Sequence, residues 1–336
     1  MKYCYLPIIL PIVVLLLIGC SNDDLLEGTP FVVEQCAVIP DGGRASAVAF
    51  AIGDKGYVAL GRNSNGTYLN DCWQYSPGSD TWTQKADFPG KVRVKAVAAT
   101  VDGIAYAGLG YSPNANGYVD TTAYLKDFWM YDAGQDQWTR RADFPTRFTS
   151  ACAAFVYDHA LYVGSGFGWA PGATIPSTSP YIWKYTPTEN TWTRMPLFPG
   201  NQRLAPVGCA GDDHCYFGTG FQMFSYNDWW EYTPSTGKWA QKQSLPGHGR
   251  ENAVAFTLNN RYIVATGRYF RGNTYPNQYL RSDLLEYDPQ TNKWISRGNL
   301  AEGRENAVVF TINGKGYIGF GENDTGLVNN FWCVHP

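Results

Sequence analysis

Two segments of the chain read Arg-Glu-Asn-Ala, at 250–253 and 304–307, and each sets a carboxylate beside a guanidinium. If Glu251, Glu305 or the later Glu322 points into a pocket next to an arginine, its pKa shifts and the carboxyl can do acid or base work near neutrality. Arginine also recurs at a fixed spacing. Arg44, Arg93, Arg203, Arg250 and Arg304 each lie 17 residues before a glycine, namely Gly61, Gly110, Gly220, Gly267 and Gly321. A guanidinium offers forked donors to carboxylates and hydroxyls, so these five can ring an anion- or sugar-binding site, or they can hold loop carbonyls and neighbouring elements in place. The stretches after the glycines carry Arg62, Tyr111, Phe167, Trp169, Phe221, Arg268, Tyr269 and Arg271, and Asn323 follows Glu322. Aromatic faces beside planar polar groups suit carbohydrate; the competing reading is ordinary loop composition in a tyrosine-rich chain.

The elements that must position these residues are repeated. Tyr-x6-Trp occurs at Tyr75/Trp82, Tyr131/Trp138, Tyr185/Trp192, Tyr232/Trp239 and Tyr287/Trp294. The tryptophans are spaced by 56, 54, 47 and 55 residues, right for one four-stranded sheet per repeat. A turn-forming stretch such as Pro77-Gly78-Ser79-Asp80 lies inside each pair and predicts a hairpin. Upstream, apolar runs are joined by dipeptides such as Asp102-Gly103 and Asn313-Gly314, which favour type I′ hairpins. The closing glycine of the third repeat is Gly166, and Thr149 stands there in place of the arginine.

The first half of the repeat occurs six times and the Tyr-Trp half five times. Val33–Pro40 lines up on the missing fourth strand, so the sequence predicts an all-β, six-bladed β-propeller whose last blade is completed by an N-terminal strand, leaving no open seam. The expected blades are 41–90, 91–145, 146–199, 200–246, 247–300 and 301–336 with 32–40. The apolar inner strands are expected to be buried on both faces, which accounts for only 16% charged residues in 336.

These spaced residues resemble the kelch-repeat family over about 31–336, with Gly-x-Gly or Ala-x-Gly replacing the usual Gly-Gly pair, as in a divergent bacterial branch. The resemblance implies a ligand-binding or interaction module whose loop face takes a glycan or an envelope partner protein. The alternative it implies is a sugar mutarotase or epimerase of the sialic-acid kelch type, using a Glu/Arg pair in the central channel. Copper oxidase chemistry of the galactose-oxidase type is not expected, because the four histidines (159, 214, 248 and 335) do not supply the ligand set. No metal-spaced cluster or phosphate loop stands in the sequence, so no cofactor is expected. A net charge of -3 and a pI of 5.8 give no electrostatic case for nucleic acid.

The N-terminus predicts export. An apolar run from Leu6 to Ile18 ends in Leu-Ile-Gly-Cys, which resembles a lipobox, so residues 1–19 read as a cleaved signal peptide and Cys20 as the lipidated residue. Ser21 points to outer-membrane sorting and Asp23-Asp24 to cell-surface display. Residues 20–31 read as a tether reaching at most about 35 Å, and 32–336 as one propeller, expected to be a monomer held to the membrane through its lipid. Cys36 and Cys333 fall on the two halves of the split blade. Aligned on a hairpin with Gln74 opposite Lys85, they face each other, and a disulfide is expected in an oxidising compartment, against the alternative of two free thiols. Cys72 and Cys152 read as buried small hydrophobes. A two-residue turn puts Cys209 opposite Tyr216 and leaves Cys215 on the other side.

Overall fold

The structure, a computed structural model, describes residues 25–112, 120–270 and 280–336. Cys20, the signal segment and Arg271 lie outside the described residues. Apart from a 3-10 turn at Thr121–Ala123, the described elements are strands, and they form six antiparallel blades around an axis. Blade 1 shows the pattern: Val48–Ile52, Lys55–Ala59, Cys72–Ser76 and Thr81–Lys85 pair in sequence order from the axis outward.

The six blades begin with Val48–Ile52, Val97–Val101, Ala153–Tyr157, Val207–Ala210, Val254–Leu258 and Val308–Ile312. These innermost strands alternate. Val48 and Phe50 are buried, while Ala49 and Ala51 line the axial space and are half-exposed. Burial on both faces belongs to the second strand instead, where Tyr57, Val58 and Ala59 are all buried. The inner strand reads Ala-Val-Ala-Phe because six strands converge on one axis and only small side chains fit on the side that faces it.

The hairpin turns follow their residue types. Asp102-Gly103, Asp158-His159, Asn259-Asn260 and Asn313-Gly314 all carry positive φ at both positions, as a type I′ turn requires. Asp212-Asp213 does not adopt that conformation, although Cys209 does pair with Tyr216.

The Tyr-Trp half of each repeat is a clasp between blades. Tyr131 Oη donates to Asp136 (2.6 Å), whose Oδ1 also accepts the Ala86 amide of the preceding blade (3.0 Å), and Trp138 Nε1 donates to Ala86 O (3.0 Å). Asp80, Asn190 and Asn292 repeat this arrangement. Blade 4 lacks it. Gly237 stands at the Asx position, and the facing residue is Pro196, which has no amide hydrogen; Tyr232 Oη and Trp239 Nε1 are buried without partners among the described residues.

Val32–Cys36 pairs antiparallel with Phe331–His335 and forms the outer strand of the sixth blade. The fold begins earlier than the expected tether boundary. Leu25–Glu27 adds a fifth, parallel strand to the outer edge of blade 5, and Phe31 is buried in the core. The facing pair proposed for the cysteines is corrected by the register. Tyr75 pairs with Trp82 and Gln74 with Thr83, so Cys36 lies opposite Phe331 and Cys333 opposite Glu34. The two thiols are free and sit on one diagonal of the same face, close enough that their mutual hydrogen bond raises the pKa of Cys36 and lowers that of Cys333.

Candidate functional site

Each blade enters the axis through the same local sequence, and the arginines anchor it. Arg93 donates from both terminal nitrogens to Asp127 (2.9 and 2.7 Å), from Nη1 to Leu109 O (2.9 Å) and from Nε to Lys91 O (2.8 Å). Leu109 directly precedes the closing glycine, which accounts for the 17-residue spacing. Arg44, Arg203 and Arg250 make the same fork to Asp71, Asp228 and Asp283. All five arginines are essentially fully buried. Burial pushes the Asp127 carboxyl up, but the Arg93 fork, its charge and the Trp129 indole outweigh that and hold it below the usual carboxylate range. Of the two roles open to these arginines, the structure places them in the framework: their terminal nitrogens are already taken up inside the blades. Arg304 has Asn330 where the others have aspartate, and burial lowers its pKa to about 10. Blade 3 has Thr149 instead, hydrogen-bonded to Gly110 O (3.2 Å).

Backbone geometry closes the ring. Gly61, at φ 93°, occupies a spot where a Cβ would lie 2.8 Å from Ala45 O. Its amide donates to Arg93 O of the next blade (2.9 Å), and the last junction is made by Gly321 to Arg44 O (2.8 Å). Two residues beyond each arginine position lies a residue in the left-handed region: Ser46, Lys95, Ala151, Ala205, Asn252 and Asn306, all with φ between 52° and 55°. Five of the six amides in this inner ring donate to the carbonyl of the equivalent residue in the preceding blade; one is Lys95 N to Ser46 O at 3.1 Å. The ring narrows the axis above a cavity of about 110 Å³ lined by Lys95, Asn252 and Asn306.

Over this ring stands a second one. Antiparallel bridges join Ala45 to Arg62, Val94 to Tyr111, Leu204 to Phe221, Glu251 to Arg268 and Glu305 to Glu322, and Ser150 pairs with Phe167 in blade 3. The site is therefore two-sided, with Tyr111, Phe167 and Phe221 from blades 2–4 and Arg62, Arg268 and Glu322 from blades 1, 5 and 6.

The charged half is one network. Lys95 reaches across the axis and donates to Asn252 Oδ1 (2.6 Å) and to Asn306 Oδ1. Asn252 Nδ2 donates to Glu305 Oε2 (2.7 Å), and Glu305 Oε1 accepts from Arg268 Nε (2.5 Å). In parallel, Asn306 Nδ2 donates to Glu322 Oε1 (2.7 Å), and Glu322 Oε2 accepts from Arg62. The two Arg-Glu-Asn-Ala segments thus form two matching arms that meet at one lysine. Burial lowers the pKa of Lys95, against the raising influence of Glu305, Glu251 and Glu322.

Glu251 differs from the other two carboxylates. Its side chain makes no hydrogen bond to a described residue, and burial, reinforced by the Glu305 charge, raises its pKa to about 7. A carboxyl that is half-ionised near neutrality and has no hydrogen-bond partner among the described residues can accept or donate a proton.

The remaining candidates are dispersed. Tyr111 packs edge-on against Tyr124 (5.5 Å), which in turn meets Phe167 (6.2 Å), and Phe221 packs on Phe270 (5.2 Å). Tyr269 stacks on His248 (4.3 Å), and Asn323 is engaged with Glu302 and the Thr325 amide. Trp169 lines a separate cavity beside blade 3. Sequence reasoning missed Lys95, Asn252 and Asn306. The available signal was their shared offset of two from the arginine position.

Residues 43–89 match the kelch motif. The solved structure of YjhT superposes with a TM-score of 0.74, covering 89% of this chain and 97% of that one at 18% identity. The chain is a six-bladed β-propeller that carries a kelch motif. It is also similar to N-acetylneuraminate epimerase of Haemophilus influenzae (strain 86-028NP), 23% identical over 66% of this chain and 50% of that protein. Kelch-like protein 23 of Homo sapiens is 25% identical over 79% of this chain and 44% of its own length. The chain thus spans about half the length of the curated relatives it matches.

Proposed function

We propose that the axial pocket binds a carboxylated sugar of the N-acetylneuraminate kind and interconverts its anomers, with Glu251 as the acid/base group. The observation that carries this is Glu251 itself, a carboxyl with no hydrogen bond to a described residue and a pKa of about 7, beside the Arg268–Glu305 pair. Arg62 and Arg268 supply forked donors for a sugar carboxylate, and Tyr111, Phe167 and Phe221 supply apolar faces for its C–H surface. In the reaction Glu251 removes the proton of the anomeric hydroxyl as the ring C–O bond breaks and the ring oxygen takes up a proton. The open-chain carbonyl then re-forms the ring on its other face, so no oxidant or cofactor is consumed. The name of the Haemophilus relative supports the substrate class.

The test is NMR exchange between the anomers of N-acetylneuraminate, at a pH where the uncatalysed process is slow. Catalytic amounts of the wild-type protein are expected to accelerate exchange, and Glu251→Gln to lose at least ~100-fold of that acceleration. No acceleration by the wild type overturns the reading.

A partner-protein role is favoured by one observation, the exposed Ile175, Met223 and Phe224 on the pocket-side loops of blades 3 and 4. Anchoring through Cys20 at the outer membrane, with display at the cell surface, stands as part of the proposal. Leu25 pairs with Trp294, at the turn end of blade 5 and away from the pocket face. The five residues from Cys20 to Leu25 reach at most about 17 Å, so a lipid at Cys20 would hold the turn face to the membrane and leave the pocket facing outward. Metabolic labelling with palmitate, lost in Cys20→Ala, checks the anchor.

A further inference from the structure

Beside the axial pocket, on the same face, blade 3 builds a second cavity. Its two central strands, Ala160–Trp169 and Ser177–Thr186, run to ten residues each where the equivalent strands of other blades have four to six. The extension pairs with Arg147–Ser150, setting Arg147 opposite Trp169. Between this hairpin and the loop of blade 2 lies a cavity of about 370 Å³, within the size range of small-molecule sites.

The lining is one-sided in its chemistry. Lys126 and Arg147 contribute two cations, Thr121 and Thr146 contribute hydroxyls, and no carboxylate among the described residues lines the cavity. Arg147 is held in place because Nη1 donates to Thr121 O (2.9 Å) and Tyr124 O (3.0 Å). Trp169 lines the cavity with its ring, while its Nε1 is out of solvent contact and has no acceptor among the described residues. Phe148, Pro171 and the Trp169 ring add apolar faces.

We infer that this cavity is a second binding site, for a carboxylated monosaccharide or the uronic-acid unit of a glycan. Its carboxylate would sit on Lys126 and Arg147, its hydroxyls would meet Thr121 and Thr146, and its C–H face would pack on the aromatic side chains. A neutral sugar would leave both cations unpaired, and a simple inorganic anion would leave the apolar faces unused. The site is independent of proton transfer at the axis, and it stands whether or not the anomer-exchange reading does.

The test is calorimetric titration of the soluble domain with D-glucuronate, D-glucose and sodium sulfate at constant ionic strength. Glucuronate is expected to bind at least tenfold more tightly than either of the others. Lys126→Gln, Arg147→Gln and Trp169→Ala are each expected to weaken it by about tenfold, while Glu251→Gln leaves it unchanged. Because Arg147 also orders the blade 2 loop, Lys126→Gln and Trp169→Ala carry the decision if Arg147→Gln does not fold. Unchanged glucuronate affinity in those two variants overturns the inference. So does equal affinity for glucose, or binding of sulfate as tight as glucuronate. Anomer exchange measured on the same two variants is expected to match the wild type, which keeps a failure of one site distinguishable from a failure of the other.

Discussion

Removing one carboxylate from the framework should have a large and selective effect. Asp127 is 15% exposed and accepts both terminal nitrogens of Arg93, which is 0% exposed. Asp127→Ala leaves that guanidinium buried with two backbone carbonyls, Leu109 O and Lys91 O, and the Phe88 face at 4.7 Å, but with no counter-charge. Breaking a buried pair from one side costs about 3–5 kcal/mol. The Trp129 indole also loses its acceptor at 2.8 Å, worth about 1 kcal/mol and within the spread of that figure. Blade 3 shows what a compatible replacement looks like, with Thr149 in place of the arginine and its hydroxyl on a carbonyl. Arg93→Thr with Asp127→Ala should therefore be less destabilised than the sum of the two single variants by about 2 kcal/mol or more. Urea unfolding monitored by tryptophan fluorescence, compared among variants with equal m-values, reads these differences. A cost below about 1 kcal/mol for Asp127→Ala, or strict additivity in the cycle, would refute the framework role of these arginines.

Further expectations follow from the seams and the site. Asp136→Ala strips acceptors from Tyr131 Oη and the Ala86 amide and should cost about 2 kcal/mol, whereas Pro196→Ala with Gly237→Asn should rebuild the missing clasp between blades 3 and 4 and gain about 1 kcal/mol; thermal unfolding checks both. Glu251 has its pKa raised by folding, so the native state holds that proton more tightly than the unfolded chain, and stability falls as pH rises from 4.5 to about 7. The displacement corresponds to on the order of 3 kcal/mol, and Glu251→Gln should flatten that part of the pH–stability curve, as read by urea unfolding across the window. The Cys36 and Cys333 thiols lie on one diagonal, so mild oxidation by a disulfide reagent should link them. Free-thiol counting in denaturant should then fall by two, and not in Cys36→Ser.

Much of the architecture was legible because each blade needs the same few residues for the same mechanical reasons. The arginine, the glycine 17 residues later and the Tyr-Trp pair mark the axis entrance, the chain reversal and the clasp to the preceding blade. What they do was less legible than where they fall. The arginines could also be read as ligand groups, because a sequence does not show that Asp71, Asp127, Asp228 and Asp283 take up their terminal nitrogens from within the blade. The cysteine pairing missed by two residues because the hairpin turn, rather than Pro77, sets the register that puts Tyr75 on Trp82. The inner ring was hidden for a different reason. Its members, Ser46, Lys95, Ala151, Ala205, Asn252 and Asn306, share a backbone conformation and not a side-chain type. The acid/base group was visible as a candidate, but only the fold tells Glu251 from Glu305 and Glu322, by giving it no hydrogen-bond partner among the described residues while the other two hold arginines.

The most direct test is the pH profile of anomer exchange of N-acetylneuraminate in the presence of the protein. With Glu251 as the acid/base group, the catalysed rate should change through an inflection near pH 7, and Glu251→Gln should remove both the inflection and most of the rate. A catalysed rate that is flat through pH 7, or one that Glu251→Gln leaves intact, would contradict the account.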